Sequence, residues 1–281
     1  MLAAAYALLA SLSWGTSDFL AGRESRRATF WAVAVFSQLA ALAGSAVVLA
    51  VVHPSVPPLS AVLAGMLGGV FSAIACLAQY RAFTLIKMSV VSPIMAGTSL
   101  VPVVWGLAHG EHPSGLQLAG MVLTIAGIVI ISRPAPGTSQ EHARLNRAGV
   151  LLTVLAAVTA GLMLVAVDYA AKSDPYWAVV SLRVVAVLII LAAVGVRGRG
   201  LGARRAGLPA VVAAGLLIAA ANELFTAAST IGLLSVVAVL AYLSPAVVIF
   251  WALVVLRERL RPVQWVAAAV VLAGVVCLAL G

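Results

Sequence analysis

The stretch that decides the fold class is residues 30–52, FWAVAVFSQLAALAGSAVVLAVV, which contains no charged residue. A helix needs about 20 mostly apolar residues to cross a bilayer, so this segment is long enough to span one. The rest of the chain has the same character, because 64% of its 281 residues are hydrophobic and only 9% are charged. A soluble domain carries about 25% charged residues. The composition therefore excludes an ordinary soluble protein and a disordered chain.

Ten segments of this kind follow one another, divided by charged residues, Pro and Gly. In lipid they must be helical, because the bilayer offers no hydrogen-bond partners to a non-helical backbone. We therefore predict an all-α integral membrane protein with ten transmembrane helices. The spans are expected at residues 2–22, 30–52, 59–84, 88–108, 114–132, 148–171, 176–196, 207–230, 233–256 and 262–280.

The basic residues are concentrated in alternate loops. Fifteen of the 17 Lys and Arg residues lie in or beside the loops after spans 1, 3, 5, 7 and 9, whereas the loops after spans 2, 4, 6 and 8 hold only Lys172. Because Lys and Arg collect in cytoplasmic loops, this pattern predicts a multi-pass protein of the cell membrane with both termini outside. It also accounts for the net charge of +9 without a nucleic-acid partner.

The chain repeats itself at an offset of about 146 residues. The Trp-Ala-Val at 31–33 returns at 177–179, and the Ser-Val-Val at 89–91 returns at 235–237. The offset corresponds to five spans, and five is odd, so the second half must enter the membrane from the opposite side. The charge bias of the loops inverts between the halves in the same way. Inverted repeats of this kind are common in secondary transporters.

The sequence thus predicts two inverted five-helix repeats joined by a polar linker. The first repeat is expected at residues 2–132, the linker loop at 133–147 and the second repeat at 148–280.

Ten spans in two halves resemble the drug/metabolite transporter superfamily, and specifically a two-repeat EamA-type transporter. The residues that carry the resemblance are Trp14-Gly15 in the first helix, Trp105, Gly110, Glu111, Pro113, Gln117, Gly120 and Gly127 around the end of the fourth, and Trp251, Arg257, Glu258, Arg259, Leu260, Pro262, Gln264 and Gly274 around the end of the ninth. The resemblance covers nearly the whole chain. It implies proton- or gradient-linked movement, often export, of small metabolites, amino acids or toxic compounds.

Charged residues inside the spans are the first candidates for function, because a charge in the membrane usually faces a cavity or a partner. Arg183 and Glu223 each lie about seven residues from the outer ends of spans 7 and 8, hence about 10 Å deep. At equal depth they are expected to bind a charged substrate group or exchange a proton in a cavity, or to form a static ion pair between helices. Glu223 is the first candidate for a proton site, and Asn222 is its polar neighbour.

Asp18, one turn after Trp14 in the first helix, is the second candidate for a proton site. The alternative is an interfacial carboxylate paired with Arg23 and Arg26. Polar residues in spans 2 and 3 are either part of the substrate pathway or partners in interhelical hydrogen bonds. They are Gln38, Gln79 and Tyr80.

Tyr242 and Ser244 precede Pro245 in the middle of span 9, and we include both in the substrate pathway. A proline inside a helix removes a backbone donor and kinks the helix. Pro102 occupies a nearly equivalent place in span 4. Two matched kinks suit rocking between outward and inward states, although kinks without motion fit the sequence equally well.

We therefore interpret the protein as a secondary transporter, in the export direction, working by alternating access and coupled to a proton or to the substrate gradient. Its expected partners are a small-molecule substrate and the lipid bilayer, with the monomer as working unit and a dimer left open. No cofactor, metal site or catalytic residue is predicted. The alternatives are a flippase of the same fold for a lipid-linked or amphipathic substrate, an intramembrane enzyme and a membrane scaffold.

Overall fold

The computed structural model describes residues 2–108, 114–131, 140–198, 200–201, 207–231, 241, 243–258 and 261–280. All regular elements within these residues are helical. They are α1 (Leu2–Arg27), α2 (Phe30–Val52), α3 (Leu59–Leu85), α4 (Met88–Met95), a 3-10 turn (Ala96–Ser99), α5 (Leu100–Ala108), α6 (Gly115–Ile131), α7 (Gln140–Ala171), α8 (Pro175–Arg197), α9 (Leu208–Ile231), α10 (Ser244–Val254) and α11 (Pro262–Leu280).

The predicted all-helical membrane architecture is confirmed, with fewer full-length spans than expected. Five described segments are long and apolar enough to cross a membrane by themselves, namely Phe30–Val52, Leu59–Leu85, Arg144–Ala171, Pro175–Arg197 and Leu208–Phe225. Shorter apolar helices occupy parts of four other predicted spans, at Met88–Thr98, Leu118–Ile130, Ser244–Val254 and Pro262–Cys277.

The fourth predicted span is interrupted. The 3-10 turn separates α4 from α5, so the break lies before Pro102 and not at it. Pro102 falls in the first turn of α5, and Pro245 falls in the first turn of α10. A proline is tolerated in a first turn because its missing N–H has no intrahelical partner there. Both prolines therefore lie in the first turn of a described helix. The mid-helix kinks that we predicted at these two positions are not found in the described helices.

The predicted linker is also partly helical. α7 begins at Gln140, so the second half of the expected loop 133–147 belongs to this helix. Residues 140–147 read Gln-Glu-His-Ala-Arg-Leu-Asn-Arg, which are mostly good helix formers with no Gly or Pro. Their polarity alone led to the prediction of a loop.

The two halves pack across each other in matched pairs. Gly15 of α1 lies against Val247 of α10, and Gly161 of α7 lies against Val101 of α5. The partners in each contact are related by the same offset of 146 residues. Each half therefore supplies one glycine and one valine to equivalent contacts. This exchange is what two inverted repeats require.

The basic loops meet at one end of the molecule, which we call the basic end. Arg26 in the last turn of α1 donates to the carbonyl of Phe83 near the end of α3 at 2.7 Å and to Glu258 after α10 at 3.0 Å. The guanidinium of Arg197, which ends α8, lies over the ring of Trp31 at the start of α2. The loops after predicted spans 1, 3, 7 and 9 are thus on one side, as the alternating charges predict.

Candidate functional site

A cavity of about 340 Å³ lies between helices of both halves. Its described lining comes from α1 to α4 and the 3-10 turn of the first half, and from α7 to α10 of the second. Eight residues selected from the sequence line it, namely Asp18, Gln38, Gln79, Tyr80, Arg183, Asn222, Ser244 and Pro245. The lining residues of α8 lie near the helix end opposite Arg197, so this wall of the cavity is away from the basic end.

Glu223 is not among the described residues that line the cavity. Its neighbour Asn222 does line it, and successive residues on a helix point about 100° apart. Glu223 therefore faces a different direction, and it has no hydrogen bond or ion pair with another described residue. Of the remaining candidates, Tyr242 lies outside the described residues, and so does the side chain of Pro102.

Arg183 is a buried cation on α8, with only 6% of its surface exposed. Its Nη1 donates to Oε1 of Gln38 on α2 at 2.8 Å. Its Nε has no hydrogen-bond partner among the described residues. The ion pairs between described residues do not include one between Arg183 and Glu223, so the anticipated pair is replaced by the contact with Gln38.

Gln38 connects three helices. Besides accepting from Arg183, its Nε2 contacts Sγ of Cys76 on α3 at 3.5 Å. One turn further along α3, the hydroxyl of Tyr80 lies 3.4 Å from Oγ of Ser37 on α2. α2, α3 and α8 are therefore joined by buried polar side chains on one side of the cavity.

Asp18 brings a carboxylate to the cavity from α1. It interacts with the side chain of Gln79 and forms no ion pair with a described residue. Arg23 lies 3.9 Å from Glu24, and Arg26 pairs with Glu258. The arginines that the sequence offered as partners of Asp18 are thus engaged elsewhere.

Hydrogen bonds across the halves fix other parts of the wall. Nε1 of Trp14 on α1 donates to Oδ1 of Asn222 on α9 at 3.2 Å, and Oγ of Ser92 on α4 donates to the carbonyl of Pro245 at 3.0 Å. The ring of Trp14 also packs against Phe225. These contacts join α1 to α9 and α4 to α10.

The sequence interpretation missed Cys76 and Ser72, which line the cavity on α3. The sequence gives no functional signal for Cys76, because an isolated cysteine in an apolar run behaves as a small hydrophobe. A helical period would have found both, since Ser72, Cys76, Gln79 and Tyr80 recur at spacings that place them on one face of α3.

Glu258 holds the basic end together. Its carboxylate accepts from the hydroxyl of Ser89 at 2.6 Å, from the backbone N–H groups of Met88 and Ser89 at 3.3 and 3.1 Å, and from Arg26 at 3.0 Å. A carboxylate is favourable at this position because the first N–H groups of α4 have no intrahelical acceptor. The segment after α10 in the second half is thereby bonded to α1 and α4 of the first half.

Chemically, the cavity can receive a small polar solute. Asp18 and Arg183 are the charged residues in its described lining, while Phe83, Phe225 and Met163 supply apolar surface. Pockets of this kind, mostly apolar with a few oriented polar groups, are typical of small-molecule sites. Within the described residues there is no cluster of three or more His, Cys, Asp or Glu side chains suited to a metal ion.

Comparison with known proteins gives three findings. A family model described as "EamA-like transporter family" matches residues 1–133 and 147–280. A protein of Lactobacillus johnsonii named "Putative sugar uptake protein" is 29% identical over 156 residues, which cover 53% of this chain and 54% of that protein. The match thus spans about half the length of this relative. A solved crystal structure superposes with a TM-score of 0.69 at 18% identity, covering 98% of this chain and 95% of the other, and shows similarity of fold alone.

Proposed function

Because this chain belongs to the EamA-like transporter family, we propose that it is a secondary transporter of a small metabolite that works by alternating access in the cell membrane. The observation that carries this proposal is the cavity between the two halves, with Asp18 and Arg183 in its lining. Solute sites of transporters with inverted repeats lie at such an interface between the halves.

The access pathway is proposed from the two ends of the cavity. At the basic end, Glu258 bonds the second half to α1 and α4, which keeps this side closed. Release of this network, with matching closure at the other end, would expose the cavity to the basic side. The repeats proposed from the sequence, residues 2–132 and 148–280, are the units that move. The basic end is assigned to the cytoplasm on its charge.

Asp18 is the proposed coupling site. A carboxylate inside a span is costly unless it is paired or neutralised, and Asp18 has no cationic partner among the described residues. We propose that it binds a proton in one state of the transport cycle and releases it in another, so that an inward proton gradient drives export. Glu223 is less suited to this role, because it is not part of the described cavity lining.

The test is flux in proteoliposomes, with a panel of metabolites that includes sugars because of the name of the relative. The variants are Asp18→Asn and Glu223→Gln, with Asp168→Asn at an exposed surface ion pair as the control. We expect a pH gradient to drive flux in the wild-type protein, the control and Glu223→Gln, but not in Asp18→Asn. Equal gradient-driven flux in Asp18→Asn would refute coupling through Asp18. Absence of flux for every compound in the wild-type protein would refute the transporter assignment.

A further inference from the structure

We propose that the solute carries a single carboxylate, and that Arg183 binds this carboxylate inside the cavity. This inference rests on the proposed transport function and adds the chemical class of the substrate. It comes from the environment of one side chain, Arg183, and from the charges that share the cavity with it.

The first step is the incomplete pairing of the guanidinium. An arginine has five N–H donors, and the described residues accept from Arg183 only at Nη1, through Gln38. Nε is buried without a partner in the described part of the chain. The side chain lines the cavity even though it is 6% exposed. Arg183 therefore contributes to the cavity wall with an incompletely paired guanidinium, whose Nε is itself buried.

The second step is the chemistry that completes such a group. A buried cation without a counter-ion is unfavourable, and a carboxylate with two hydrogen bonds compensates it. The planar fork of arginine matches the two oxygens of a carboxylate. Gln38 accepts one hydrogen bond from Nη1, which leaves the remaining donors of the guanidinium for a ligand. A lysine or a neutral donor at this position would not give the same two-bond geometry.

The third step is the charge of the whole cavity. The charged residues in the described lining are Arg183 and Asp18, one of each sign. A solute with one negative charge is compensated by Arg183, whereas a dianion such as a phosphate monoester would keep a second charge without a cation in the described lining and would be repelled more strongly by Asp18. A neutral sugar would leave the guanidinium unpaired. The volume of about 340 Å³ is at the small end of ligand pockets, which favours a small carboxylic acid.

The first experiment uses the wild-type protein and needs no variant. Each acid is compared with its primary amide, which has nearly the same shape but lacks the negative charge, in the pairs lactate and lactamide, and benzoate and benzamide. We expect at least one acid to be transported and to raise the Tm, with its amide at least about tenfold weaker, as for loss of a buried charged partner. Equal transport of acids and amides would overturn the inference.

The second experiment changes the partner of Arg183 and leaves the arginine in place. Gln38→Glu supplies a carboxylate of the same size at 2.8 Å from Nη1. We expect this variant to keep or raise its Tm and to lose acid transport at least about tenfold, because the internal carboxylate competes with the solute. If Arg183 has only a structural role, Gln38→Glu should be stable and transport the acid at the wild-type rate, and the inference would fail.

Arg183→Lys completes the set, with Asp168→Asn as the matched surface control. The lysine keeps the charge but not the fork, so we expect a higher KM for the acid with a smaller change in kcat.

Neutral sugar transported equally by the wild-type protein, Gln38→Glu and Arg183→Lys would overturn the inference and leave the proposed function standing. Acids that raise the Tm more than their amides, without transport of any solute, would support the inference and refute the proposed function.

Discussion

Gly69 is a residue at which the packing of the two halves can be tested directly. A Cβ added there would lie 2.5 Å from the carbonyl oxygen of Leu182 and close to Val185, so α3 and α8 would have to separate. We expect Gly69→Val to lower the free energy of unfolding by about 1–3 kcal/mol, as for an overpacked core. The measurement is the Tm of the purified protein in detergent.

Gly195 on the same helix as Leu182 provides the matched control. No described atom lies within 4 Å of a Cβ added at Gly195. Gly195→Val should therefore leave the Tm nearly unchanged. If both substitutions lower the Tm equally, the loss of stability arises from placing a valine in a helix and not from the contact between α3 and α8.

Single residues also show how far the sequence could lead. Charged and amide side chains are rare within the apolar spans, so Asp18, Gln38 and Arg183 could be selected from composition alone, and all three line the cavity. The same rule selected Glu223, which does not line it in the described part of the chain. Which of Glu223 and Asn222 lines the cavity depends on the rotation of α9 about its axis. The position of a polar residue in the sequence indicates its depth in the membrane but not the direction in which its side chain points.

At the scale of elements, Glu258 bonds the segment after α10 to α4 and α1. Replacing Glu258 by Gln keeps the shape of the side chain but removes its negative charge. The carboxylate pairs with Arg26 and accepts hydrogen bonds from residues at the start of α4. We expect a loss of about 1–3 kcal/mol, as for hydrogen bonds to a charged group, measured as a lower Tm. Asp168→Asn removes a carboxylate from an exposed pair with Lys172 and should have little effect.

A double-mutant cycle with Arg26→Gln separates the ion pair from the helix contacts. If Glu258 acts mainly through Arg26, the double variant should be no less stable than Glu258→Gln alone. Additive losses would mean that the N–H groups of α4 account for the effect of Glu258 and that Arg26 acts through its bonds to α3.

The elements also show why some boundaries could not be predicted. Hydropathy detects α2, α3 and α8 nearly residue by residue, because polar residues flank them. It does not detect the 3-10 turn at Ala96–Ser99, since the residues on both sides of this turn are apolar and the break depends on hydrogen-bond geometry. It also assigned residues 140–147 to a loop, because polarity does not distinguish a loop from an exposed helix.

At the scale of the whole molecule, orientation and closure can be tested together through Cys76. This thiol lines the cavity, and Cys277 is the only other cysteine in the chain. In a Cys277→Ala background, we expect a membrane-impermeant maleimide to label Cys76 in intact cells, since we assign the basic end to the cytoplasm and propose that Glu258 keeps it closed. In inverted membrane vesicles, labelling should be slow in this background and faster once Glu258→Gln is added. Labelling from the cytoplasmic side alone would reverse the predicted orientation, and equal labelling from both sides would contradict closure at the basic end.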